Sequence, residues 1–230
     1  GMGFTLNGVG GLLGLNRTIN TDRLRSGVKD NTLDNILFPT DIVKNADTII
    51  SNLGQVFPVK KDRFLVGPMA KLGWGTPTLI TIELGIIIEL PSPLLLAIVG
   101  VIKAILPKKE TKVLAIQVNF VGIIDFDKKQ LSFDASLFDS SILTFTLLGD
   151  MALRLYWGDK PNFLLSVGGF HPKFTPPPMN LPQMQRLSII LASSNNLNVK
   201  VETYFAITSN SVQFGARVDA RAKAWKVEAG

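Results

Sequence analysis

The sequence predicts an α+β, mainly β fold: a long antiparallel meander of about seven to nine strands curved around one apolar helix, preceded by short N-terminal helices. Three observations carry this. Apolar and polar residues alternate with period two over most of the chain beyond Arg63. The links between the alternating segments are short and rich in Asp, Ser, Asn and Gly. Parallel pairing would need crossovers of a dozen residues or more, so short links mean hairpins.

The strands read off in order. Ile80, Ile82, Leu84, Ile86, Ile88 and Leu90 alternate with Thr81, Glu83 and Glu89. Leu114 to Ile124, Leu131 to Leu137, Leu143 to Leu155, Phe163 to Val167, Val199 to Ile207 and Val212 to Ala220 repeat the pattern. Turn residues separate them at 127–129, 139–141, 158–161, 193–196 and 209–211. This alternation predicts one dry face turned inward and one wet face.

Ahead of the strands the period is helical. Thr21 or Asp22 suits the cap of a short helix to about Val28, and 31–38 suits another turn or two. The clearest helix is expected over 41–53, with Thr40 as its cap, Gly54 as its stop, and a stripe of Ile42, Val43, Ala46, Ile49, Ile50 and Leu53. The glycine-rich opening, residues 3–14, reads as a short strand and a tight turn. Leu13 stands where a dinucleotide loop starting at Gly8 would need its third glycine, and no Gly-Lys-Ser/Thr follows.

The apolar helix is placed at 93–106, with Ser92 as cap and Pro93 at the first helical position. About fourteen residues span roughly 21 Å, too short for a hydrocarbon core of ~30 Å, so no transmembrane span is expected. The helix is expected in the concavity of the sheet, where Leu95, Ile98, Val99 and Ile102 would line an apolar groove with Ile82, Ile86, Phe120 and Phe145 of the strands. Five prolines in 171–182 predict an extended, rigid crossover between two parts of the sheet.

Chemistry is sparse. With no cysteine and one histidine, the 230 residues exclude thiol nucleophiles, disulfides and two-histidine metal sites. His171 names no partner for a triad, and Asp125, Asp127, Asp134, Asp139 and Asp150 match turns and a wet strand face, with no EF-hand spacing. No catalytic, cofactor or metal residue is assigned, and no enzyme is expected. The net charge of +6 is a weak basic bias that fits a mild preference for phosphate or an anionic membrane surface, but such a bias more often reflects only solubility. Cationic runs are pairs only, which argues against nucleic acid.

Gly1-Met2 reads as a tag remnant or as native sequence, and the alternation persisting to Val227 suggests a piece of a longer chain. Three strings carry a resemblance: the opening 3–17, Phe64-Leu65-Val66-Gly67-Pro68-Met69, and the run from Phe163 to Pro172. Together they resemble a conserved segment of very long, β-rich bacterial proteins classed as a domain of unknown function. That resemblance covers nearly the whole chain and implies no activity or catalytic residue. The expectation is a non-enzymatic structural or interaction module, its partner being the remainder of its own longer chain or another protein. The alternative is a module that binds or transfers a lipid or acyl chain on a concave sheet face, a likeness to bridge-type lipid grooves being one of pattern alone.

Overall fold

The computed structural model describes residues 3–30, 32–91, 94–106, 113–193 and 197–222. Thirteen antiparallel strands form one sheet, with three short helices before the second strand. The strands are β1 (Phe4–Arg17), β2 (Val59–Trp74), β3 (Ile80–Leu90), β4 (Leu95–Leu106), β5 (Leu114–Asp125), β6 (Gln130–Leu137), β7 (Ser140–Ile142), β8 (Phe145–Leu148), β9 (Asp150–Tyr156), β10 (Asn162–Val167), β11 (Leu187–Ser193), β12 (Leu197–Thr208) and β13 (Ser211–Ala222). The helices are α1 (Thr21–Ser26), α2 (Thr32–Leu37) and α3 (Ala46–Val56).

The meander is simpler than the strand count suggests. β6 and β7 lie one after the other along the same side of β5, and β9 and β8 pair with them in turn. β10 and β11 likewise follow one another along β12. Thus β1, β2, β3, β4, β5, β6 with β7, β9 with β8, β10 with β11, β12 and β13 occupy ten rows, each hydrogen-bonded to its chain neighbour. The antiparallel expectation holds throughout. The number of strands exceeds seven to nine because rows expected as single strands are broken and because β4 stands where a helix is expected.

The expected helix at 93–106 is instead β4. It pairs along its length with β3 (Leu96 opposite Ile88, Ile102 opposite Ile82) and with β5 (Leu96 opposite Ile124, Leu106 opposite Leu114). The caps read at Ser92 and Pro93 fall outside the described residues. A short run apolar on every side fits a strand buried between neighbours as well as a helix, because periodicity cannot separate the two. Five β-branched residues (Ile98, Val99, Val101, Ile102 and Ile105) favour the strand. Gly100 is required for space: a Cβ there would stand 2.2 Å from the Phe120 ring, which lies across it from β5.

Two further expectations change at the N-terminus. The opening is one strand, β1, running the length of β2 with register shifts at Leu6/Gly8 and Leu15/Arg17. α1 starts after Asn20, whose side chain accepts from the Arg23 amide. α3 starts at Ala46 because Asp41 takes a left-handed conformation, φ 48°, that breaks the expected first turn. The helix runs through Gly54 to Val56, and of the expected stripe Ile49 is buried, while Ile42, Val43 and Ile50 are exposed.

The segment 168–186 is not a crossover. The chain leaves the sheet after Val167 and re-enters the same row at Leu187. Gly168 makes the exit possible: its φ is +74°, and a Cβ would meet the Thr203 carbonyl oxygen at 2.6 Å and the Leu187 nitrogen at 2.7 Å. Between exit and return the proline-rich strap lies across the sheet.

Candidate functional site

The two sides of the sheet reverse the expected arrangement. Strand residues paired across rows share a face, so register assigns every side chain. One face carries Glu83, Glu89, Asn119, Asp125, Ser132, Asp134, Ser136, Asp150, Arg154 and Ser166, and all are buried. α1 and α2 dock on this face: Leu24, Val28, Leu33, Ile36 and Leu37 form one cluster with Leu65, Ile87, Val99, Val101, Val121 and Ile123. The strap covers the rows beyond them, with Met179 buried. The polar face is therefore the covered one.

Its charges are satisfied in a network that ties three layers together. Arg154 Nη2 donates to both Asp134 oxygens at 2.9 and 3.1 Å and to the Asn180 carbonyl at 2.9 Å, while Nε donates to the Met179 carbonyl. From α1, Arg25 Nη2 donates to Ser132 Oγ and its Nε stands 3.7 Å from Asp134. Lys29 bridges Asp150, 2.7 Å away, to the Gln183 carbonyl of the strap. Asp150 also accepts from Ser136 Oγ and from the Gln185 amide. Near the other end, Glu89 accepts from Thr18 Oγ1 and the Ile19 amide and pairs with Arg63 at 2.8 Å.

Burial pushes the Asp134 carboxyl above the ordinary aspartate range, and the attraction of Arg154 and Arg25 only partly offsets it. Burial, with repulsion from Arg154, likewise lowers Arg25. A folded state that holds this proton longer than the unfolded chain gains stability that is present below the unfolded value, about 3.9, and is lost as pH rises through the raised one. Chemical denaturation at stepped pH above about 4 should show wild type losing stability relative to Asp134→Asn as pH rises through that window. A parallel pair of curves would contradict the placement of this proton.

The opposite face is apolar in every row from β2 to β10. Phe64, Val66, Pro68, Ala70, Leu72 and Trp74 of β2 stand beside the even-numbered residues of β3, β4 and β5, then the odd-numbered residues of β6, β9 and β10. Not one of these positions holds a charged or hydrogen-bonding aliphatic side chain; the indole of Trp74 is the single polar handle. Among the described residues no helix covers this face, and its large side chains are half-buried in the central rows and exposed toward the edges, including Leu6, Val9, Leu13, Phe214 and Val218.

The expected groove residues are divided by this geometry. Ile82, Ile86, Ile98, Ile102 and Phe120 lie together on the apolar face, with Phe145 on the same side through its pairing to Ile142. Leu95 and Val99 point to the other side, where Val99 is fully buried beneath the helices. Alternation along a strand, in place of the expected helix, separates them. His171 is exposed; its Nδ1 accepts from the Lys173 amide and its ring lies edge-on to Tyr204. Among the described residues, no group of three metal-ligating side chains comes together, and no helix is long and apolar enough to cross a membrane.

The charge network was missed from sequence because Asp134, Asp150 and Arg154 look like the solvated face of a half-buried strand. Nothing local distinguishes a polar face covered by a strap from one covered by water.

These features define a mainly-β protein, an antiparallel meander with a helical layer and strap on its polar face and an apolar face that no described residue outside the sheet covers. The chain belongs to a family of unknown function, DUF6603, whose family model matches residues 1–230. No curated protein and no solved structure matches it.

Proposed function

We propose that the chain is a non-enzymatic interaction module, part of a larger β-rich bacterial protein as the resemblance implies, and that its apolar sheet face is the working surface. One observation supports this above the others: the helices and the strap occupy the polar face, and among the described residues no layer covers the apolar one. The seven apolar rows from β2 to β10, about 4.8 Å apart and about ten residues long, give a face of roughly 1,100 Å². The largest apolar patch of a typical monomer is about 300–600 Å², and a standard interface takes about 800 Å² from each partner.

A second reading, an acyl-chain or lipid-binding surface, is favoured by the composition of the face. Protein interfaces carry about one hydrogen bond per 100–200 Å², whereas this face offers almost no side-chain donor or acceptor. Native mass spectrometry of the purified protein separates the two. An oligomer or a bound protein supports the first reading, and a stoichiometric lipid adduct supports the second. Ile98→Lys, at the centre of the face, should abolish either species while leaving the circular dichroism spectrum unchanged. A wild-type protein that is monomeric, unliganded and unresponsive to a hydrophobic dye would remove the working surface altogether.

A further inference from the structure

Exposure on the apolar face is uneven. In the rows from β2 to β9, exposed large apolar side chains stand at both ends of the strands, but the exposed aromatic ones, Phe64, Phe126 and Trp157, share one end, together with Leu90, Leu94 and Leu155. Register places them in a line across the sheet. Phe64 is opposite Leu90, the Phe126 amide donates to the Leu94 carbonyl, and the Trp157 amide donates to the Lys129 carbonyl. Phe126 and Trp157 follow the strand ends at Asp125 and Tyr156 and reach the rim, 47% and 42% exposed.

The same end carries the exposed lysines of the turns. Lys60 and Lys61 begin β2, Lys128 and Lys129 form the β5–β6 turn, and Lys160 lies in the β9–β10 turn. Asp62, Asp127 and Asp159 are exposed among them, and Lys128 pairs with Asp125, so cations are in excess without being alone. A line of apolar and aromatic side chains ending in a fringe of lysines matches the two layers of a membrane surface. Aromatic rings favour the boundary between headgroups and acyl chains, and lysines favour anionic headgroups.

We propose that this end of the sheet docks on an anionic phospholipid bilayer, with Phe126 and Trp157 entering the headgroup boundary and Lys128, Lys129 and Lys160 meeting phosphates. The proposal rests on the apolar face being the working surface. The exposed aromatics Phe126 and Trp157 beside turn lysines favour a bilayer over a second copy of the chain, because a headgroup boundary takes up aromatic rings and ammonium groups together.

The test is co-sedimentation of the chain with vesicles of phosphatidylcholine alone and of phosphatidylcholine with phosphatidylserine. Binding is expected at least about tenfold tighter to the vesicles containing phosphatidylserine, with the preference weakened by salt. Lys128→Glu with Lys129→Glu should remove the preference. Phe126→Ser with Trp157→Ser should weaken binding to both vesicles by about tenfold or more. All four positions lie in exposed turns, and thermal melts report whether each variant is folded. Equal binding to the two vesicles, or none, overturns the proposal. If vesicles are not bound but the protein associates with itself or another protein through a contact that Ile98→Lys abolishes, membrane docking falls and the apolar working surface stands. If neither occurs, both fall.

Discussion

Arg154→Ala is expected to lower the free energy of unfolding by about 3–5 kcal/mol, measured by urea denaturation at neutral pH. The guanidinium is fully buried and joins a strand carboxylate, Asp134, to two strap carbonyls, Met179 and Asn180. Removing it leaves Asp134 without its closest cation in a desolvated site, with Arg25 still 3.7 Å away. The two carbonyls lose their donor as well, so the strap should loosen before the sheet does. Limited proteolysis within 168–186 of the variant, under conditions where wild type resists, reports that order. Arg154→Lys should recover only part of the loss, since one ammonium cannot serve a carboxylate and two carbonyls in the guanidinium's planar arrangement. A loss below about 1 kcal/mol would mean that packing, Lys29 and the Asp150 carboxylate hold the strap without Arg154.

The second large effect compares adjacent residues. Ile87→Ala should cost about 2–5 kcal/mol, and Ile86→Ala about 1 kcal/mol or less. The two side chains are chemically identical and successive in β3, yet Ile87 is wholly buried beneath the helical layer while Ile86 stands on the uncovered face. Truncating Ile87 opens a cavity among Leu65, Val99 and the helices, whereas truncating Ile86 removes surface that is already partly wet. Equal costs would show that a second layer covers the apolar face in solution. Calorimetry or denaturant midpoints suffice, because the quantity sought is the difference between the two variants.

How far the sequence reveals this molecule depends on the element. Rows such as Ile80–Leu90 and Leu131–Leu137 alternate cleanly, and both their antiparallel pairing and their turns were legible. Residues 95–106 were not, because they are apolar on both faces and the side-chain period disappears when both sides of a strand are greasy. The glycines of β1 read as a turn because the partner that straightens them, β2, lies some fifty residues away. Of the residues expected together, Ile82, Ile86, Ile98, Ile102 and Phe120 share one face while Leu95 and Val99 stand on the other, since a helix and a strand distribute consecutive residues differently. Which face is covered cannot be read locally. It depends on Arg154 and Lys29 finding strap carbonyls far along the chain.

The detour at Val167 and Leu187 bears on how such a sheet assembles. Most rows can anneal onto the preceding one through a closure of a few residues, which costs little chain entropy and favours a zipper running outward from any central hairpin. At the detour the zipper must pause: β11 completes its row only after nineteen intervening residues, 168–186, have folded back across strands already in place. Besides the link 18–58 that carries the helices between β1 and β2, a ladder otherwise built from local steps thus acquires a second long-range step near its end, and the last rows wait on it.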